Sequence, residues 1–345
     1  MNEEHLALPD AQAQHPAPSS HPKRRRLSLG NYGDRFALVG AWVVVIAIFG
    51  ILSPGAFLTA RNFSTIFGSQ AVLVVLTLAL LIPLIAGDYD LSVVGVLTLA
   101  GMMLAVMNVQ MHVPIGWAIL AAIAMGLTVG IINGAFVVLF NIDPFIVTLG
   151  MQTVLIGIVL WISKSATISG VSPSLVNWVV VRRLFGIPLE FYYGLVLCVA
   201  LWYFFGYTAV GRRVLFVGRG RKVARLSGIR VGRVRWGCLM ASGALAALAG
   251  ILYTGTTGAA DPSSGTTFLL PAFAAVFLGG TTITPGRFNA WGSFIAVYFL
   301  VTGISGLSIL GIQTFVQNLF YGGALIIAVT LSQIVKMHQE RSQPI

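Results

Sequence analysis

Residues 71–110 read AVLVVLTLALLIPLIAGDYDLSVVGVLTLAGMMLAVMNVQ, and this stretch decides the fold. Two apolar runs, 65–86 and 92–110, meet at Gly87-Asp88-Tyr89-Asp90. A helix that crosses a bilayer needs about 20 mostly apolar residues. Both runs come close to that length, and the charges fall at their junction. The stretch therefore reads as two membrane spans joined by a tight acidic turn.

Outward from this turn the pattern repeats. Apolar runs at approximately 36–52, 115–139, 145–163, 190–207, 236–256, 271–283, 290–310 and 313–334 bring the total to ten. The eighth, 271–283, is short enough to be broken or re-entrant. The chain is 57% hydrophobic and 9% charged, with a mean hydropathy of +0.89. A soluble domain carries about 25% charged residues. A soluble enzyme, a nucleic-acid binder and a disordered scaffold are excluded on that ground. The expectation is an all-α, polytopic membrane protein with about ten transmembrane helices. Residues 1–35 are polar and rich in Pro, Ala, Gln and His, which predicts a disordered tail. Residues 36–335 form the membrane domain, and 336–345 a second tail. No small-x-small cleavage pattern closely follows the first run, so it reads as an uncleaved span.

The net charge of +11 is concentrated. Residues 1–35 carry five basic and four acidic residues, whereas Arg212 to Arg235 carries nine basic residues and no acidic one. Lys23–Arg26 places the N-terminus in the cytoplasm by the positive-inside rule. The loop 208–235 follows the sixth span, so counting also puts the most basic loop in the cytoplasm. Lys336 and Arg341 then make the C-terminus cytoplasmic. The loop 164–189 falls outside, with Arg182 and Arg183 as exceptions to the rule.

A carboxylate at the bilayer centre costs about 2.5–3.5 kcal/mol on insertion scales. Asp88 and Asp90 follow the second span, Asp143 the fourth and Asp261 the seventh, so all sit at breaks. Asp90, Asp143 and Asp261 are placed to cap the helices that follow them. Asp88 reads as a solvated loop residue. The lack of carboxylates within spans argues against a proton- or sodium-coupled carrier. Asp90-Leu91-Ser92 is echoed by Asp261-Pro262-Ser263, which suggests inverted repeats over spans two to five and seven to ten. Gly126, Gly130 and Gly134 lie four apart, the spacing that lets helices approach closely. Cys198 and Cys238 lie in or beside apolar runs, and no two histidines are three or four apart, so neither a disulfide nor a metal site is expected. The sequence has no GxxxxGK[ST], HExxH or GxSxG. ATP-driven work by this chain would need an ATPase from another subunit.

Six segments in order resemble one family: the permease subunits of bacterial ABC importers for ribose, xylose, arabinose and related small carbohydrates. Ala86 to Val93 resembles A-G-x-x-D-L-S-[VI]. Asn133-Gly134 with Asp143-Pro144-Phe145-Ile146-Val147-Thr148-Leu149-Gly150 is similar to N-G…P-P-F-I-x-T-L-G. Gly211-Arg212-Arg213 through Ala224 to Ile229 is similar to the family's cytoplasmic loop. Asp261-Pro262-Ser263, Leu278-Gly279-Gly280-Thr281 and Gly286-Arg287 follow in order. The chain departs from the pattern at Val94, at Asp143 and in the basic stretch Gly218 to Lys222.

The resemblance implies a type II ABC importer-like fold in the bacterial inner membrane. It also implies a permease pair, either a homodimer or a heterodimer with a sister permease. Two cytoplasmic ATP-binding cassette subunits would hold ATP and Mg, with no cofactor in this chain. A periplasmic sugar-binding protein would deliver substrate. Within 208–235, Gly211, Arg212, Arg213 and Ala224, Arg225, Leu226, Ser227, Gly228 are the expected ATPase-coupling residues, with a short amphipathic helix over Ala224–Ile229. A loop that touches only anionic headgroups is the other reading. The expected substrate pathway comprises Asp90, Ser92, Asn133, Thr148, Gln152 and Asp261, with Phe145 packing on a sugar ring. Interhelical hydrogen bonds, worth about 0.6 kcal/mol each, are the other reading of Asn133, Thr148 and Gln152. An ATP-independent carrier or channel for a small polar solute remains the alternative function.

Overall fold

The structure is a computed structural model that describes residues 30–341. Helix α1 (Gly30–Leu52) leads through the single turn α2 (Pro54–Phe57) to α3 (Ala60–Ser69) and α4 (Ala71–Ile85). Helix α5 (Val93–Ala105) ends in a π-helical turn (Val106–Gln110), and α6 (Ile115–Val138) and α7 (Pro144–Ser163) follow. The next segment carries strand β1 (Ile168–Ser169), α8 (Pro173–Val176), a second π-helical turn (Asn177–Val181) and the hairpin strands β2 (Arg183–Leu184) and β3 (Ile187–Pro188). Helix α9 (Leu189–Tyr207) precedes α10 (Ala209–Arg219) and α11 (Arg221–Leu226). The chain closes with α12 (Val231–Thr257), β4 (Ala259–Ala260), α13 (Thr266–Gly279), α14 (Ala290–Ile309) and α15 (Thr314–Arg341).

Among the described residues, seven helical segments are long and apolar enough to cross a membrane: Ala60–Ile85, Val93–Gln110, Ile115–Val138, Pro144–Ser163, Leu189–Tyr207, Val231–Thr257 and Ala290–Ile309. Three shorter apolar helices, Phe36–Leu52, Thr266–Gly279 and Phe315–Thr330, fall on the remaining apolar runs. The architecture is that of an all-α polytopic membrane protein. Helix α13 starts five residues before the expected eighth run and has 14 residues. At 1.5 Å per residue it spans about 21 Å, short of a hydrocarbon core of about 30 Å. Helix α1 begins at Gly30, inside the stretch expected to be a tail, and α15 runs to Arg341, past the expected boundary at 336. Residues 1–29, including Lys23–Arg26, and 342–345 lie outside the described residues.

The centre of the fold is α12, packed against α4, α5 and α6. All fifteen residues of α4 are buried, as an all-round apolar helix requires. The glycine spacing on α6 does what it predicts. A Cβ at Gly126 would run into the backbone of Gly243, and one at Gly130 into that of Leu239. Gly134 faces the Trp236 ring. Two packing patterns match: α5 lies on α6, α7 and α12, and α13 lies on α14, α15 and α4.

Helix α12 also separates two faces. Arg235, in its second turn, pairs with Asp88. At its other end, the Gly258 carbonyl accepts from Gly170 N at 3.2 Å, and β4 pairs with β1. With 27 residues, α12 is about 40 Å long. The segments 86–92 and 208–230 therefore share one face, and 164–188 and 258–265 lie towards the other. This agrees with the parity of the span count.

Candidate functional site

The site grows from the turn after α4. Asp88 N donates to the Pro83 carbonyl at 2.9 Å, closing the helix, and Gly87 takes φ +81. Only a glycine adopts that left-handed conformation without strain. The chain then runs back into the protein rather than out to water. Asp88 is fully buried, which corrects the expectation of a solvated residue. Arg235 grips it with both ends of its guanidinium, Nε to Oδ2 at 2.7 Å and Nη2 to Oδ1 at 2.8 Å. Arg221 Nη2 donates to Oδ1 at 2.6 Å and to the Gly87 carbonyl at 2.7 Å. A buried carboxylate persists only with such pairing. The signal in the sequence was charge complementarity. Span parity puts Asp88 on the same face as the loop with nine basic residues.

Two residues on, Asp90 is also buried. Its Oδ1 accepts from Ser92 N at 3.1 Å and from Ser92 Oγ at 2.5 Å. Asn133 Nδ2 of α6 donates to Ser92 Oγ at 2.9 Å. Thr148 Oγ1 of α7 accepts from Leu91 N at 3.1 Å and donates to the Pro144 carbonyl at 2.7 Å. Ser242 of α12 approaches the Asp90 carboxylate without closing a hydrogen bond of good geometry. Ser242 lies seven residues beyond Arg235 on α12, so it sits about 10 Å deeper along that helix than the residue that pairs with Asp88. Gln152 lies one turn beyond Thr148 on the same side of α7. Asn133 Oδ1 and Gln152 Oε1 are buried acceptors with no donor in the protein. Leaving such an atom unsatisfied costs about 1–3 kcal/mol, so both are disposed to take a hydroxyl.

The structure thus brings together Asp90, Ser92, Asn133 and Thr148, with Gln152 beside them. It does not bring in the other two. Phe145 is 47% exposed on the outer side of α7. Asp261 lies at the far end of α12, half exposed. Its Oδ1 accepts from Ser263 N at 2.7 Å and Ser263 Oγ at 2.5 Å, and Thr167 Oγ1 donates to Oδ2 at 3.0 Å. The Ser263 hydrogen bonds hold the Asp261 carboxyl below the usual carboxylate range. Capping follows expectation at Asp143, whose Oδ1 accepts from Phe145 N at 2.8 Å. It does not at Asp90 or Asp261. Each bonds the serine two residues on instead, and α5 and α13 begin after Ser92 and Gly265.

In the basic loop, Thr208 caps α10 through Gly211 N at 3.0 Å. Gly211 is buried against the Phe204 carbonyl, while Arg212 and Arg213 are exposed. The short helix expected over Ala224–Ile229 is instead α11, Arg221–Leu226. Gly228, at φ +80, turns the chain out of the helix, so Ser227 to Ile229 form its exit. Ala224 is buried with Val217 and Val231. Arg225, Leu226, Ser227 and Gly228 are exposed, and Leu226 is 82% so. Among the described residues, no three His, Cys, Asp or Glu side chains group to hold a metal, and Cys198 and Cys238 are buried free thiols.

Residues 62–329 match the family described as branched-chain amino acid transport system / permease component. The chain is 31% identical to the D-allose transport system permease protein AlsC of Escherichia coli, covering 92% of this chain and 97% of that one. It is 33% identical to the ribose import permease protein RbsC of Bacillus subtilis, covering 86% and 91%. It is 30% identical to the autoinducer 2 import system permease protein LsrD of Photorhabdus laumondii, covering 90% and 94%. The chain, with its apolar helices and its match over most of its length, belongs to this permease family as a multi-pass inner-membrane transport subunit rather than an enzyme.

Proposed function

We propose that this permease is the membrane-spanning subunit of an ATP-driven importer for a monosaccharide or related small polyol, working by alternating access. It pairs with a second permease, identical or a sister chain. Two ATP-binding cassette subunits, which hold the ATP and Mg²⁺, dock on the face carrying α10 and α11. A binding protein delivers substrate to the face carrying 164–188. Both termini are cytoplasmic. The names of its relatives, for allose, ribose and autoinducer 2 import, support the substrate class.

The observation that carries the reading is the physical link between α11 and the buried polar cluster. Val223 and Leu226 stand out from α11 on the docking face and offer apolar grip to a partner. Arg221, the first residue of the same helix, holds Asp88. Asp88 is two residues from Asp90. A rigid-body shift of α11 is therefore passed to the turn that carries the cluster. There, Asn133 Oδ1 and Gln152 Oε1 accept substrate hydroxyls through neutral hydrogen bonds, weak enough to release what they bind.

The test is uptake into vesicles that contain the permease, its ATPase and its binding protein. Uptake of a pentose or hexose that requires ATP supports the proposal. Equal uptake without the ATPase would establish a carrier or channel instead. ATP-dependent uptake of leucine and of no sugar would keep the importer and overturn the substrate class.

A further inference from the structure

A cavity of about 560 Å³ lies between the end of α6 and the turn that joins α11 to α12. Arg225, Arg230 and Arg233 line it, and no carboxylate does. Among the described residues, the arginines in ion pairs are Arg221 and Arg235, both with Asp88, so none of these three is neutralised in that way. The lining also has an apolar part that includes Val138 and Leu139 of α6 and Trp236 of α12. The Trp236 indole is fixed by its Nε1 bond to the Ile131 carbonyl at 3.1 Å. Tryptophan favours the membrane–water boundary. From the cavity, exposed Leu139, Phe136, Ile132 and Ile131 continue along α6 towards the membrane interior. Val223 and Leu226, the apolar residues exposed on α11, do not line the cavity.

We propose that this cavity binds the headgroup of an anionic phospholipid, with its acyl chains along the exposed strip of α6. Three positive charges favour a phosphate head with net negative charge over a zwitterionic one, whose own cation they repel. The adjoining apolar strip gives the tails a surface that a free anion would not use. A basic pocket between spanning helices next to lipid-facing surface has the chemistry of a lipid site. The inference does not depend on the transported substrate or on the ATPase.

The test uses the full-length protein in neutral detergent, with bound lipid counted by native mass spectrometry and stability followed by thermal shift. Dioleoyl phosphatidylglycerol should bind and stabilise, whereas dioleoyl phosphatidylcholine and inorganic phosphate should not. R230Q/R233Q should weaken phosphatidylglycerol binding roughly tenfold or more. R212Q/R213Q removes the same charge from α10 and should keep the binding. L139E, in the apolar part of the lining, provides a second route should the arginine variant fail to fold, and it should also lose the lipid. Equal binding of phosphatidylcholine would overturn the proposal, as would unchanged binding in both pocket variants or the same loss in R212Q/R213Q. Equal stabilisation by inorganic phosphate would assign the cavity to a free anion.

Discussion

Asp90-Leu91-Ser92 and Asp261-Pro262-Ser263 make the same turn twice. In both, one carboxylate oxygen accepts from the backbone and the hydroxyl of the serine two residues on. Both turns lie just ahead of a short helix, α5 or α13, that packs on the next two helices. Their surroundings differ completely. Asp90 is buried, and α6 and α7 bond to its turn through Asn133 and Thr148. Asp261 is half exposed and takes one further side-chain bond, from Thr167. Local sequence dictates the turn, and tertiary packing dictates its role. The buried turn is also braced from behind by Asp88 and its two arginines, whereas solvent supports the exposed one.

The comparison breaks first at the brace. Asp88→Ala leaves the largely buried Arg235 guanidinium without a counter-charge, and losing one partner of a buried pair costs about 3–5 kcal/mol. Thermal unfolding in detergent should show that loss, while Asp261→Ala should cost about 1 kcal/mol or less. Comparable losses at the two positions would mean that burial is not what separates them. Ser92→Ala is the next test. It removes the bonds to Asp90 and Asn133 and leaves buried polar atoms behind, at a cost of about 1–3 kcal/mol. Ser263→Ala should stay within about 0.5 kcal/mol, because water replaces the lost bond. The smallest stability effect is expected at Gln152→Leu. Its buried Oε1 has no donor in the protein, so stability should hold or rise slightly, while sugar uptake falls severalfold. Lost stability with normal uptake would make Gln152 a packing residue only.

What the sequence disclosed is what local chemistry controls. Ten apolar runs became ten apolar helices because length and hydropathy decide insertion. Asp143 caps α7 because the cap needs only the next turn, and the glycines of α6 met α12 because close approach is written in their spacing. The differences depend on distant partners or on backbone conformation that residue types leave open. Asp88 looked solvated because its arginines lie 133 and 147 residues away. Phe145 lies apart from the polar cluster, and a single apolar run does not say which side of α7 packs inward. Helix α11 was displaced by three residues because Gly228 ends it, and only the backbone shows that Gly228 is left-handed.

The complete enclosure of α4 bears on how the protein is assembled. This helix is synthesised well before α12 and α14, which later cover it. During that interval its flanks face acyl chains. Lipid tails are as apolar as leucine, so the wait carries little penalty. In water an uncovered helix of this composition would aggregate. Its side chains therefore answer to the shape of partners that arrive late, and substitutions that leave hydropathy unchanged can still prevent the final closure of the bundle.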